Sequence, residues 1–187
     1  MVKKIALSFF ALFLAFRSIE LVRSINQLDA GHYPRYILVL LAFGLNLFIT
    51  GVFAFSGFAF PTSRLLPDGY YRIRFPKTLS WIYGILGVHY FRTALMAAYW
   101  GKEKHRERYF NGTRSGLKEF EFQTRRSEFG HLGALIAVLV ASIQVLMTGH
   151  TGLAALATML NVIANGYPII LQRYLRSRLR RLQDQDR

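Results

Sequence analysis

The residues best suited to chemistry are a carboxylate and an imidazole three residues apart. Glu128 precedes His131 at the start of a stretch, Gly130 to Met147, that contains no Lys, Arg, Asp or Glu. Side chains at this spacing share one face of a helix, and a carboxylate beside an imidazole can fix its tautomer and raise its basicity. This is the partnership that general-base catalysis uses. The alternative interpretation is a glutamate favoured by the dipole at a helix start, beside a histidine that hydrogen-bonds a neighbour.

Neither a metal site nor a cofactor is expected. A Glu-x-x-His pair also occurs in helical bundles that bind two metal ions, but those proteins need a second such pair and further glutamates, which this chain lacks. There is no cysteine, which excludes disulfides, thiolate metal ligands and a cysteine nucleophile. The sequence also contains no glycine-rich phosphate loop, Gly-x-Ser-x-Gly elbow or zinc motif.

A second set of polar side chains lies in the next apolar stretch. Asn161, Asn165 and Gln172 are separated by four and seven residues, which places their amides on one stripe of a helix. Amides in a membrane-spanning helix either hold helices together or line a cavity, and both interpretations stay open. Pro168 removes a backbone donor, so we predict a kink in the helix near these amides.

A basic tail, residues 172–187, follows this helix. Most of it is typical of membrane topology and of contact with anionic headgroups. Arg173 differs because it lies next to the predicted kink, directly before Tyr174. We predict that it either pairs with Glu128 or holds a phosphate or carboxylate of a substrate.

Basic residues are also concentrated between the apolar stretches. The chain carries 24 Lys and Arg against 10 Asp and Glu, a formal net charge of +14. Because this excess avoids the apolar stretches, it favours membrane topology and lipid contact over nucleic-acid binding. One cluster in the segment 101–127, containing Lys102, Lys104 and Arg106, could receive a polyanion such as the phosphates of coenzyme A. A solvated helix facing lipid explains the cluster equally well.

Four segments long and apolar enough to cross a membrane must position these residues. They are residues 5–22, 36–60, 130–147 and 151–171. Each can span a hydrocarbon core of about 30 Å at about 1.5 Å per residue. The turn from Thr148 to His150 is too short to hold a domain, so the last two segments must run antiparallel. The start of one and the end of the other are therefore expected at the same membrane face.

The first segment and the stretch 79–100 allow alternative assignments. The basic start and its apolar run fit a cleaved signal peptide, but no small-x-small cleavage site follows, so we predict an uncleaved helix. The stretch 79–100 contains Arg92, which is costly within lipid. If it spanned the membrane, the basic segment 101–127 would lie outside, against the positive-inside rule. We therefore predict an interfacial or re-entrant helix there, and both termini in the cytoplasm.

These assignments define an all-α integral membrane bundle. It has about four spanning helices plus one interfacial or re-entrant helix, and residues 1–187 form a single membrane domain. No sustained period-two alternation indicates a strand.

Two sequence patterns are similar to those of a known family. The first runs from Ser127 to His131 as Ser-Glu-Phe-Gly-His, and the second runs from Asn165 to Tyr174 as Asn-Gly-Tyr-Pro-Ile-Ile-Leu-Gln-Arg-Tyr. In this order they resemble the glycosyl-4,4'-diaponeurosporenoate acyltransferase family over roughly residues 66–182. Leu175 departs from the family pattern, in which Asn is usual. The resemblance implies a multi-pass protein of the bacterial cytoplasmic membrane that transfers acyl groups.

The reaction implied by the resemblance moves a fatty acyl group from acyl-coenzyme A, a co-substrate, to a hydroxyl of a lipid-soluble acceptor such as a glycosylated carotenoid. His131 would take the proton of the attacking hydroxyl, and Glu128 would orient the imidazole. Asn165 and Gln172 would donate to the developing oxyanion or hold the sugar. Arg173 would hold the phosphates of the donor.

The remaining residues of the expected substrate-binding set are Tyr174, Asn161, Lys102, Lys104 and Arg106. The alternative function is a non-catalytic accessory subunit of a membrane complex that binds lipid or pigment. The 16 Phe and 10 Tyr of the chain are enough to line an apolar groove or a partner surface.

Overall fold

The computed structural model describes residues 1–29, 34–97 and 114–185, and over these ranges the regular structure is helical, with no β-strand. Four helices within them are long and apolar enough to cross a membrane: Val2–Asn26, Arg35–Ala59, Gly116–Met147 and Thr151–Leu179. The predicted all-α membrane fold is therefore confirmed.

The described helices follow one another as α1 (Val2–Asn26), α2 (Arg35–Ala59), α3 (Asp68–Tyr71), α4 (Pro76–Ile85), α5 (Val88–Leu95), α6 (Arg114–Met147), α7 (Thr151–Asn161) and α8 (Tyr167–Gln185). A 3₁₀ turn, Thr62–Arg64, precedes α3, and a π-helical turn, Val162–Gly166, joins α7 to α8. The chain divides into two compact units. The first comprises Met1–Thr62 and Gly130–Gly166, and the second comprises Ser63–Phe129 and Tyr167–Arg187.

Alanines and branched aliphatic residues form the core of the first unit. Within it α1 packs along α2, and α2 packs along α7. The buried core residues are Ile25, Ala42, Leu45, Ile49, Val138, Ala141, Val145, Leu153, Ala154 and Ala157. Alanines at such positions let helix backbones approach closely, which is how helices associate where lipid removes the hydrophobic drive between them.

Large apolar side chains of the first unit point outward. Phe9 and Phe16 of α1 and Phe43 and Leu47 of α2 are all exposed. A continuous apolar surface of this kind is a liability in water, whereas lipid tails match it. The first unit therefore has the surface of a membrane-embedded bundle.

The last two segments of the first unit run antiparallel, as predicted. Gly149 in the turn between them adopts a φ of 88°, which suits glycine. Side chains pair across the two segments in opposite order, since Asn161 contacts Leu135 and Asn165 contacts His131. The three-residue turn therefore brings the return segment back along α6.

The second unit is built from short helices that pack against α8. Both α4 and α5 contact α8, and Tyr83, Val88 and Leu171 form the buried centre. Phe91 and Tyr174 pack around this centre. Much of its core is therefore aromatic.

The stretch predicted as one interfacial or re-entrant helix forms two short helices. They are α4, with 10 residues, and α5, with 8 residues. Gly87 between them has a φ of 65°, a left-handed conformation that glycine adopts without strain. At about 1.5 Å per residue neither helix exceeds about 15 Å, half the thickness of a hydrocarbon core. Residues 98–100 of the predicted stretch lie outside the described residues.

The predicted kink near Pro168 has a structural counterpart. The five residues Val162–Gly166 form a π-helical turn, which ends two residues before the proline. Such turns occur where the regular hydrogen-bond ladder of a helix is interrupted. Asn165 lies within this turn.

Gly133 of α6 faces Phe53 of α2 without room for a side chain. A Cβ at Gly133 would overlap the ring of Phe53, which packs against the core. We expect Gly133→Ala to displace the ring and to lower the melting temperature in detergent, at a cost of about 1–3 kcal/mol.

Gly152→Ala is the matched control, because its methyl group would meet only Leu38, at 3.9 Å. It should leave the melting temperature unchanged or raise it. Adding Phe53→Leu to Gly133→Ala should restore part of the lost stability. Equal melting temperatures for the two alanine variants would contradict this account of the packing.

Candidate active site

An imidazole and an amide meet inside the first unit. Nδ1 of His131, on α6, lies 3.0 Å from Oδ1 of Asn165, in the π-helical turn. Asn165 is fully buried, and His131 is half-buried. The pair therefore has little exposure to the outside of the protein, and the orientation of each side chain depends on its hydrogen bonds.

A series of hydrogen bonds fixes both orientations. Nδ2 of Asn161 donates to the carbonyl of Leu135 at 2.9 Å, so Oδ1 of Asn161 is free to accept from Nδ2 of Asn165, also at 2.9 Å. Nδ2 of Asn165 donates in addition to Oγ1 of Thr50, at 3.1 Å. Asn165 therefore presents its oxygen to His131, and an amide oxygen can only accept. It follows that Nδ1 of His131 carries a proton, so in the neutral ring Nε2 carries the lone pair.

A lone pair on Nε2 is what a general base requires. No described residue forms a hydrogen bond with Nε2, and the only polar contact of the imidazole in the described chain is with Asn165. The ring can therefore accept a proton from a hydroxyl group that reaches it. The chemistry available here is proton abstraction by an oriented, neutral histidine.

These contacts differ from the roles expected for the amides. Asn165 was expected to donate to an oxyanion, but Asn161 and Thr50 accept from its amide nitrogen. Asn165 instead orients the imidazole, which was the role expected for Glu128. Asn161 is fully buried and accepts from Asn165, and its role in substrate binding stays a prediction.

Thr50 was not among the predicted site residues. The available signal was its spacing from Asn46, four residues earlier in an otherwise apolar stretch, which places two polar groups on one helix face. Asn46 is buried and donates to the carbonyls of Ala42 at 2.9 Å and Ala157 at 3.0 Å. Both residues thus join α2 to the returning segment.

A buried ion pair lies in the second unit. The carboxylate of Glu128 has no exposed surface and accepts from Nε of Arg173 at 2.9 Å and from Nη2 of Arg176. Pairing with Glu128 was one of the two roles predicted for Arg173, and the structure contains it. Because Arg176 is only 3% exposed, Glu128 supplies the charge compensation that water cannot.

The importance of Arg176 was missed because it was assigned to the basic tail. Arg173 and Arg176 are three residues apart on α8, which places them on one helix face. Arg178 is exposed, as expected of a solvated tail. The three-residue spacing between Arg173 and Arg176 indicates a shared role, but this indication is weak in a segment with so many arginines.

Two tyrosines extend this ion pair. The guanidinium of Arg173 lies over the ring of Tyr70 at 4.8 Å, and that of Arg176 lies over the ring of Tyr71 at 5.4 Å, both in the range of cation–π contacts. Burial and the neighbouring charge of Glu128 raise the pKa of Tyr71 to about 12. Burial also raises the pKa of Tyr70. Both phenols are therefore neutral at physiological pH and do not act as bases.

The other predicted binding residues on α8 have local partners in the second unit. Nε2 of Gln172 donates to Oγ of Ser127 at 3.2 Å. The ring of Tyr174 packs edge-on against Tyr83, with ring centroids 5.9 Å apart, so this residue contributes to the aromatic core.

The basic cluster Lys102, Lys104 and Arg106 lies outside the described residues. Within the parts of the chain that the structure describes, no group of three or more His, Asp or Glu residues is arranged to hold a metal ion.

Apolar helices long enough to span a membrane, together with an oriented imidazole, define a membrane protein with a candidate general base. Residues 67–185 match the model of the glycosyl-4,4'-diaponeurosporenoate acyltransferase family, and the chain belongs to that family. This range confirms the resemblance found in the sequence and includes both His131 and Glu128. No curated protein and no solved structure matches the chain.

Glu128→Gln should destabilise the protein strongly. The neutral amide would leave the charge of buried Arg176 uncompensated, and removing one partner of a buried pair costs about 3–5 kcal/mol. Chemical unfolding in detergent, followed by circular dichroism, measures the change.

Glu119→Gln provides the matched control, because Glu119 is exposed and, among the described residues, accepts only a local bond from Gln123, at 3.0 Å. This change should stay within about 0.5 kcal/mol. Replacing Glu128 and Arg176 together by leucine should be less damaging than Glu128→Gln, since no buried charge is then left without a partner. Similar stability of the two glutamine variants would show that the buried pair does not organise the second unit.

Proposed function

We propose that this protein is an acyltransferase that esterifies a hydroxyl of a glycosylated carotenoid with a fatty acyl group from acyl-coenzyme A. Membership of the glycosyl-4,4'-diaponeurosporenoate acyltransferase family supports the acceptor class and the acyl transfer. The observation that carries the chemistry is the contact of His131 Nδ1 with Asn165 Oδ1, because it leaves Nε2 able to take a proton.

The proposed reaction is a direct acyl transfer. Nε2 of His131 takes the proton of the acceptor hydroxyl while the hydroxyl oxygen attacks the carbonyl carbon of the thioester. The tetrahedral intermediate then expels the coenzyme A thiolate, which receives the proton from the imidazolium. An O–H and a C–S bond break, and a C–O and an S–H bond form, so the balance requires no oxidant, reductant or cofactor.

Asn165 assists this step without touching the substrate. Its oxygen accepts from the Nδ1–H of His131 and stabilises the positive charge that the ring gains, an interaction that is stronger in an apolar surrounding. Asn161 and Thr50 hold the amide in this orientation. An amide rotated by half a turn would present its N–H groups to Nδ1 and move the ring proton to Nε2, where it would block the reaction.

Other polar residues are assigned supporting roles in this proposal. Glu128 and Arg176 form a scaffold that keeps the second unit folded. The side chain of Arg173 is 34% exposed and remains a candidate for contact with an anionic part of the donor. Gln172 remains a candidate for holding the sugar.

Loss of the imidazole should abolish most of the activity. His131→Ala is expected to lower turnover by about 10²- to 10⁴-fold, the usual contribution of a positioned base. Purified protein in lipid nanodiscs, given labelled acyl-coenzyme A and the carotenoid glycoside, would be assayed for the new ester. His89→Ala, at an exposed histidine of α5, should retain full turnover. Normal turnover of His131→Ala would overturn the mechanism.

Asn165→Ala should lower kcat by about 10- to 100-fold while the KM for the donor stays nearly constant, because the imidazole loses its orienting partner. Asn46→Ala is the control for loss of a buried amide in the same unit, and its kcat per folded molecule should stay close to normal. Equal losses in both variants would assign Asn165 a purely structural role.

The proposed location is the bacterial cytoplasmic membrane, with both termini in the cytoplasm. This topology follows from the positive-inside rule applied to the segment 101–127. A cytoplasm-specific reporter fused after Gly112 should therefore be active. A periplasmic reporter that is active at the same position would contradict the topology and move the basic segment to the other side.

A further inference from the structure

The second unit contains a cavity that the proposed chemistry does not use. Its volume is about 550 Å³, and its walls come from the segment before α3 and from the first half of α6. This size lies in the range of small-molecule sites, about 300–1,000 Å³. Its polar lining consists of Ser63, Arg64, Asp68, Lys118, Glu121 and Arg125.

The carboxylates in this lining are already bound to one of its cations. Arg125 donates through Nη2 to Glu121 at 2.8 Å and through Nη1 to Asp68. Among the described residues, neither Arg64 nor Lys118 is paired with a carboxylate, and both side chains are exposed. The cavity therefore presents positive charge to a ligand that enters it.

Two buried donors in the cavity wall also lack partners within the described chain. Ser63 is 4% exposed, and its Oγ forms no hydrogen bond. Nε of Arg125 is likewise buried and unpartnered. A buried donor without an acceptor is unfavourable, so both atoms are suited to bind acceptor atoms of a ligand.

We infer that this cavity binds a phosphate ester. Phosphate combines negative charge with several acceptor oxygens, which matches Arg64 and Lys118 as cations and Ser63 and Arg125 as donors. A free phosphate ion would fill only a small part of the volume. The organic part of the ester has apolar and aromatic surface to contact, because Leu66, Pro67 and Phe122 complete the lining.

A phosphate ester can reach a membrane protein from two sources. One is the nucleotide end of coenzyme A, and the other is the headgroup of an anionic phospholipid. Identifying the ligand with the acyl donor rests on the proposed function, whereas the phosphate site itself rests only on the cavity.

The first arm of the test measures binding of coenzyme A to the full chain in phosphatidylcholine nanodiscs by calorimetry. The variant carrying both Arg64→Gln and Lys118→Gln should bind at least about tenfold more weakly, because two charge-assisted contacts are lost. The control carries Arg74→Gln and Lys77→Gln, which remove the same charge from exposed positions of the second unit outside the cavity. At physiological salt it should change affinity by less than about twofold, because exposed charges that do not line the cavity are screened.

The second arm measures retention of phosphatidylglycerol against phosphatidylcholine by native mass spectrometry. If the lipid is the ligand, the Arg64 and Lys118 variant should lose its preference for phosphatidylglycerol and the control should keep it. Ser63→Ala should weaken whichever ligand binds by about 10- to 100-fold, the loss of one hydrogen bond to a charged group.

The outcomes separate this inference from the proposed function. A loss specific to the cavity variant in either arm supports the site, and the arm identifies the source of the phosphate. Binding of neither ligand, or equal losses in cavity variant and control, overturns it. His131→Ala should bind coenzyme A normally even though it lacks turnover. If the cavity variant keeps both normal turnover and normal donor KM, the donor assignment fails while the acyltransferase proposal stands.

Discussion

The hydrogen bonds of two buried amides, Asn161 and Asn165, determine how the polar groups around His131 are arranged in the first unit. An unpaired amide in an apolar interior is unfavourable, so these hydrogen bonds stabilise one orientation of each amide side chain. The series begins at the backbone carbonyl of Leu135, which is an acceptor that cannot reverse its role. The direction set there passes through both amides and decides which nitrogen of His131 is protonated.

The second unit buries charged groups, whereas the first buries amides. It buries a carboxylate between two guanidinium groups and covers them with tyrosine rings. Buried ion pairs add little net stability compared with a well-packed apolar core, but they penalise alternative arrangements that would separate the charges. The first unit is held by packing of alanines and branched aliphatic residues and by amides, whereas the second combines a partly aromatic core with matched charges.

The sequence predicted the features that depend on length, apolarity and chain breaks. Four helices long enough to span, the antiparallel return after Thr148 and the irregularity before Pro168 are all present. The hydrogen-bond and ion-pair partners of each polar side chain were harder to predict. Glu128 and His131 were read as partners because they are three residues apart, yet the carboxylate binds Arg173 and Arg176 while the imidazole binds Asn165.

Spacing along one helix shows which residues share a face but not what the neighbouring helix offers to them. For the same reason Thr50, more than a hundred residues from Asn165 along the chain, could not be recognised as its partner. The break at Gly87 was missed because isolated glycines, here Gly84 and Gly87, are compatible with a continuous helix.

The position of Thr50 has a consequence for what the family match includes. The family match covers residues 67–185, so Thr50 and the rest of α2 lie outside it, although this helix holds the amide that orients His131. A relative consisting of the matched portion alone would keep the imidazole and its asparagine but lose the hydroxyl behind them. The hydrogen-bond network around the imidazole therefore extends beyond the residues that the family match covers.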